Sequence, residues 1–158
     1  MSTRLIKYLS RSSAETRKIG QKIGVLLGPG MVVALIGELG AGKTTFVKGI
    51  AKGLGVPKGQ EVLSPSFVLI HEYQGREKVY HLDWYRLKDI EGADRQFAEE
   101  CFHSKGITLV EWAQRGKGIL PDERIEIRLE HKGPGSRSIA VAAKGKNNLV
   151  FMEALSKK

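Results

Sequence analysis

Residues Gly37-Glu38-Leu39-Gly40-Ala41-Gly42-Lys43-Thr44 match the pattern G-x-x-x-x-G-K-[ST] at every fixed position, and their flanks leave few folds open. Ahead of the loop, Met31 to Ile36 (MVVALI) is short and continuously apolar, as expected of a central strand buried on both faces of a parallel sheet. Behind it, Phe46, Val47, Ile50 and Leu54 fall on one helical face, Lys48 and Lys52 fall away from it, and Gly55 and Pro57 end the run. Strand, glycine loop and helix therefore follow in order. In that setting glycines let successive N–H groups turn inward toward phosphate oxygens, and the helix adds its positive N-terminal end. Lys43 is expected to neutralise the β and γ phosphates, and the Thr44 hydroxyl to ligate magnesium. Glu38, Leu39, Gly40, Ala41, Gly42 and Thr45 complete the expected nucleotide contacts. The rival reading is a glycine turn with no ligand, and the flanking strand and helix weigh against it.

A phosphate loop also needs a carboxylate to hold the metal and a group to orient attacking water, both commonly at the carboxyl ends of neighbouring strands. Two acids fit. Glu111 ends the apolar run Ile107 to Val110, and Asp83 ends Val79 to Leu82. Glu111 follows the cleaner buried strand and is expected to hold the metal, directly or through water. Asp83 is then the expected catalytic or water-orienting group. For each acid the competing reading is an ordinary carboxylate facing solvent at a strand end.

The remaining segments supply an α/β frame. Ser12 followed by Glu15 reads as a capping box, and Ile19, Ile23, Leu26 and Leu27 recur at helical spacing until Gly28 and Pro29 stop the helix. Phe67 to Tyr73 and Lys78 to Tyr85 read as strands of a hairpin around Gln74 and Gly75. Asp94 to Phe102 reads as a helix and Ile107 to Trp112 as a short buried strand. Ile125, Ile127 and Leu129 alternate with Arg124, Glu126, Arg128 and Glu130 before the turn Gly133-Pro134-Gly135 and the strand Ser138 to Ala142. This predicts an antiparallel pair with one wet face. Leu149 to Leu155 reads either as a short helix or as a frayed tail. The expected fold class is α/β, a P-loop NTPase-type three-layer fold with a mixed central sheet and an antiparallel C-terminal strand pair.

The chain has 158 residues, which fits a single domain over 1–158, because one hydrophobic core serves roughly 100 to 200 residues. Cys101 is the only cysteine, so nothing depends on an oxidising compartment. The opening residues MSTRLIKYLSRSS lack the apolar core of a signal peptide, and no apolar run approaches bilayer length, so a soluble cytoplasmic protein with no membrane partner is expected. A net charge of +9 is compatible with a polyanion such as tRNA. The basic residues are scattered, however, and a solvated basic surface explains them equally well.

Several other features are set aside. Asp89-Ile90-Glu91-Gly92 spells D-x-x-G, but no buried strand leads into it and the chain has no N-K-x-D for guanine. His71, His81, His103 and His131 lack the spacing and the cysteine partners of a zinc site and read as strand or surface histidines. Cys101 reads as a buried apolar thiol. Trp84 and Trp112 directly follow the two acids; core packing is the default for both, and packing that senses nucleotide is the alternative. Arg137 could approach a nucleotide, but the preferred reading is a solvated loop arginine.

From about Gly20 to Arg137 these motifs together resemble the bacterial TsaE (YjeE) ATPases of tRNA threonylcarbamoyladenosine synthesis. The resemblance rests on Gly37 to Thr45 (GELGAGKTT), Ser64-Pro65-Ser66-Phe67, His81-Leu82-Asp83-Trp84-Tyr85-Arg86, Leu109-Val110-Glu111-Trp112 and Gly118-Ile119-Leu120-Pro121. Ser66 stands where the family commonly has Thr, and Trp84 where a smaller or different apolar residue is frequent. The resemblance implies a small magnesium-dependent ATPase acting with a TsaB and TsaD partner complex, which transfers threonylcarbamoyl to adenosine 37 of tRNAs reading ANN codons. It implies tRNA at least indirectly as a partner, and low activity without the complex. It assigns phosphate binding to Lys43, magnesium to Thr44 and Glu111, and a place at the nucleotide site to Asp83. Two other readings stay open: a stand-alone small-molecule kinase, whose arginine-bearing lid is missing from the short later strands, and a nucleotide-switched binding module.

Overall fold

The computed structural model describes residues 4–38, 40–58 and 70–158. The described residues form a seven-stranded sheet in the order β1-β7-β6-β2-β5-β4-β3. The strands are β1 (Leu5–Ser10), β2 (Val32–Ile36), β3 (Ile70–Gln74), β4 (Lys78–Asp83), β5 (Ile107–Glu111), β6 (Arg124–Gly133) and β7 (Ser136–Lys144). The helices are α1 (Ser13–Leu26), α2 (Lys43–Gly53), α3 (Gly92–His103) and α4 (Leu149–Ser156). Strand β2 is central, as its unbroken apolar run predicts, and pairs in parallel with β5 and β6. The hairpin partners β3–β4 and β6–β7 are antiparallel, so the sheet is mixed.

Alternation along the strands sorts the core into two layers. Val33 and Leu35 of β2 face a cluster containing Ile23, Phe46, Ile50 and Met152 from α1, α2 and α4. Val32 and Ala34 face the opposite cluster, with Ala98 and Phe102 of α3 and Trp84. Residues 149–155 therefore belong to a packed helix whose Phe151, Met152 and Leu155 are buried, and not to a frayed tail.

Helices α1 and α2 approach backbone to backbone. A Cβ at Gly20 would meet the Phe46 carbonyl at 2.6 Å, and Cβ atoms at Gly24, Gly49 and Gly53 would collide with the carbonyls of Ile50, Arg17 and Gln21. Each helix thus carries two glycines four residues apart, and only hydrogen side chains permit this spacing. The tip of the β3–β4 hairpin locks the pair. Arg76 donates to Gly53 O of α2 at 2.9 Å and to Gly24 O and Leu27 O at the end of α1 at 2.8 and 2.6 Å. A cation there satisfies orphan carbonyls and complements both helix dipoles.

Several boundaries differ from those expected from the sequence. Strand β1 is not among those expected, because Leu5 and Leu9 point outward while Ile6, Tyr8 and Ser10 point inward, leaving no apolar alternation to see. It pairs antiparallel with β7 at the sheet edge. Strand β4 stops at Asp83, where Trp84 and Tyr85 turn away, and β7 extends from Ser136 to Lys144 on both sides of the expected span. The capping box at α1 also has a different donor. Ser12 Oγ accepts from the Glu15 N–H at 3.1 Å, but Glu15 accepts from the Arg11 N–H at 2.7 Å and not from Ser12 itself. The segments 67–69 of the expected strand and Ser64-Pro65-Ser66-Phe67 lie outside the described residues.

Candidate nucleotide site

The carboxyl ends of β2, β4 and β5 meet at one edge of the sheet, and the glycine loop leaves β2 there. Gly40 and Gly42 have φ of +81° and +96°, a region in which side-chain-bearing residues are strained. Helix α1 closes its first turn with Ser12, whereas α2 begins at Gly42 with no side-chain cap. Its first-turn N–H groups therefore face the adjoining cavity without a side-chain acceptor, the arrangement that suits an anion. That cavity holds about 410 Å³ and is lined by Gly40, Gly42, Lys43, Thr44, Thr45, Asp83 and Glu111, together with Ser13, Tyr85, Trp112 and Arg137. Glu38 and Ala41 line a second cavity on the other side of the loop, and Leu39 lies outside the described residues.

Lys43 is 5% exposed, and its ammonium donates to the carbonyls of Gly37 at 2.6 Å and Glu38 at 2.8 Å. Burial pushes its pKa below the ordinary lysine value, while Glu111, Asp83 and Glu38 nearby act in the opposite direction.

The two acids stand side by side. Asp83 and Glu111 are register partners on the parallel strands β4 and β5, so both carboxylates occupy the same level of the sheet edge. They are 3% and 2% exposed, so neither is a solvent-facing strand-end acid. Asp83 Oδ1 accepts from the Tyr85 N–H at 2.9 Å, which fixes the turn after β4. Glu111 Oε1 accepts from the Thr44 hydroxyl at 3.1 Å. A hydroxyl and a carboxylate oxygen converging beside a lysine suit a hard cation that keeps several waters and phosphate oxygens as its other ligands. Among the described residues no group of three or more His, Cys, Asp or Glu side chains is placed to enclose a metal.

Residues beyond the motif complete the wall. Trp112 is the only non-glycine among the described residues with positive φ, at +57°. This conformation ends β5 one residue earlier than expected and turns the indole over the loop, 4.3 Å from Lys43 Nζ. Tyr85 packs against Trp112 at a tilt of 41° with ring centroids 4.9 Å apart, and Arg115 lies 5.3 Å from the Trp112 ring. Trp84 goes the other way, into the second core against Phe102. The two tryptophans that follow the acids therefore have different surroundings.

Arg137 corrects the sequence reading. It lies on β7, not in a solvated loop, and its guanidinium occupies the space a Cβ at Gly42 would need. Only its position after a Gly-Pro-Gly turn pointed toward the site. His81 is on a strand, β4, as expected, but fully buried, with its Nε2 2.6 Å from Glu111 Oε2. Its spacing two residues before Asp83 puts both on one face of β4, which is the sequence signal that could have found it. Asp89 to Gly92 contributes nothing to the cavity and instead leads into α3, with Ile90 in the second core.

Comparison with known proteins points to one family. The family model described as threonylcarbamoyl adenosine biosynthesis protein TsaE matches residues 10–139, a span holding the loop, both acids and Arg137. The tRNA threonylcarbamoyladenosine biosynthesis protein TsaE of Treponema pallidum is 42% identical over 137 residues, covering 87% of this chain and 100% of that protein. The protein of the same description from Bacillus subtilis is 40% identical over 153 residues, covering 96% of this chain and 94% of that one. The crystal structure of Bacillus subtilis YdiB superposes with a TM-score of 0.86 at 35% identity, covering 99% of this chain and 97% of that one. By the span of the family match, the identity of these relatives and the shared fold, the chain belongs to the TsaE family.

Proposed function

We propose that the chain binds and hydrolyses ATP with magnesium as a component of tRNA threonylcarbamoyladenosine synthesis, acting with a TsaB–TsaD complex that modifies adenosine 37 of tRNAs reading ANN codons. The observation that carries the reading is the convergence of Thr44 and Glu111 to 3.1 Å beside Lys43, at the uncapped start of α2. Magnesium held there by Thr44 and Glu111 would neutralise charge on the β and γ phosphates. The Lys43 ammonium exchanges carbonyl partners for phosphate oxygens, and the loop and α2 N–H groups hold the remaining oxygens. Asp83, at the same level as Glu111, orients the attacking water. Arg137, Trp112 and Tyr85 line the cavity beside the loop and would exclude part of the solvent around bound phosphates.

Membership of a family described as tRNA threonylcarbamoyladenosine biosynthesis proteins supports the purpose of that hydrolysis. The test is steady-state and burst-phase phosphate release from magnesium–ATP, with and without TsaB and TsaD from the same organism. Release that rises strongly with the partners supports the reading. Phosphate transferred to a metabolite would replace it with a kinase, and nucleotide-dependent partner binding without release would replace it with a switch.

A further inference from the structure

We infer that His81 is a positioning residue for the proposed metal site, holding the Glu111 carboxylate in the orientation that presents one oxygen to Thr44 and the cation. The inference rests on the magnesium–ATP reading above and adds to it a residue outside the phosphate loop.

The two oxygens of Glu111 have separate partners. Oε1 accepts from Thr44 Oγ1 at 3.1 Å, and Oε2 faces His81 Nε2 at 2.6 Å. With the His81 and Glu111 side chains 0% and 3% exposed, water does not substitute for either contact. An ionised carboxylate only accepts hydrogen bonds, so His81 Nε2 carries the proton. The other ring nitrogen, Nδ1, lies 3.4 Å from the Tyr73 hydroxyl, which lies 3.2 Å from His71 Nδ1. With His81 neutral, one arrangement of protons satisfies the three contacts. His71 Nδ1–H donates to Tyr73, the Tyr73 O–H donates to His81 Nδ1, and His81 Nε2–H donates to Glu111.

Strand geometry builds this row. His71 and His81 are direct register partners across the β3–β4 hairpin, and residues two apart share a face, so Tyr73 joins His71 and Asp83 joins His81. Glu111, the register partner of Asp83, then comes within reach of His81 from β5. The row therefore runs from the outer strand β3 to the loop, and each member restricts the rotation of the next. A carboxylate clamped at one oxygen offers the other with little freedom left to lose on binding a cation.

The experiment measures the affinity of the full chain for a non-hydrolysable ATP analogue by calorimetry, in EDTA and across a magnesium titration. His81→Leu is expected to raise the magnesium concentration giving half-maximal tightening by about 10-fold, because outer partners of metal ligands contribute at that scale. Affinity in EDTA is expected to stay as in the wild type, which a merely structural defect would not allow. His81→Gln, whose amide N–H can reach the same oxygen, is expected to restore most of the magnesium response. If His81→Leu does not fold, Tyr73→Phe supplies the measurement, with a shift in the same direction but smaller expected from the lost orienting contact. Nitrogen-15 NMR of the wild type should find the Nε2–H tautomer at His81. An Nδ1–H tautomer, or a wild-type magnesium response in folded His81→Leu, overturns this inference alone. Absence of any magnesium effect in the wild type overturns the magnesium–ATP reading and this inference with it.

Discussion

The Lys43 ammonium sits 4.3 Å from the centre of the Trp112 ring while donating to the Gly37 and Glu38 carbonyls at 2.6 and 2.8 Å. A lysine held by carbonyls and an indole face must leave at least one of them to meet a phosphate. Nucleotide binding is therefore expected to change Trp112 fluorescence. The change should vanish in Trp112→Phe and in Lys43→Ala, with Lys43→Ala also losing affinity by at least about 10-fold, the scale of one charge-assisted contact. An unaltered emission change in Trp112→Phe would assign the signal to Trp84.

Arg137 reaches the loop from β7, and its guanidinium covers Gly42. Arg137→Ala is expected to weaken nucleotide binding by about 10-fold, since it removes a charged donor from a half-enclosed cavity. Thermal stability should change little, which melting of the nucleotide-free protein would check. Equal affinity for wild type and variant would leave Arg137 as loop packing.

The glycines between α1 and α2 are a separate matter of stability. Gly24→Ala places a methyl against the Ile50 carbonyl, in a contact with backbone on both sides. Overpacking of this kind costs about 1–3 kcal/mol. Urea denaturation should show that loss, with Gly28→Ala as a control, because its nearest neighbour would be the flexible Met31 sulfur at 3.8 Å.

Cys101 is 4% exposed, and burial pushes its thiol from 9.0 up to about 11. The thiolate is the reactive form, so the folded chain should resist alkylation at neutral pH and react once denatured, as mass spectrometry would reveal. Between 9.0 and about 11 the folded thiol keeps a proton that the unfolded one releases. The group therefore withdraws stability as pH rises across that window.

Much of the site was legible in the sequence, and the reason is locality. The glycine spacing from Gly37 to Thr44, the apolar run into it and the helical stripe after it each depend on neighbours within a few residues. So do Asp83 and Glu111 as the last residues of apolar strands. Side-chain period and turn chemistry fix such features before any long-range contact forms. Strand β1 escaped because its outward leucines hide the alternation.

The relations between distant segments arise only when the chain packs. Placing β5 between β2 and β4 makes Asp83 and Glu111 neighbours and brings His81 onto Glu111. Pairing β7 with β6, beside β2, carries Arg137 back over Gly42. Strand order and register choose which side chains share a face, and neither is written in the residues next to them. Neighbouring residues thus suffice to pick out the glycine loop and the two acids, while packing sets what holds Glu111 in place and what covers the loop.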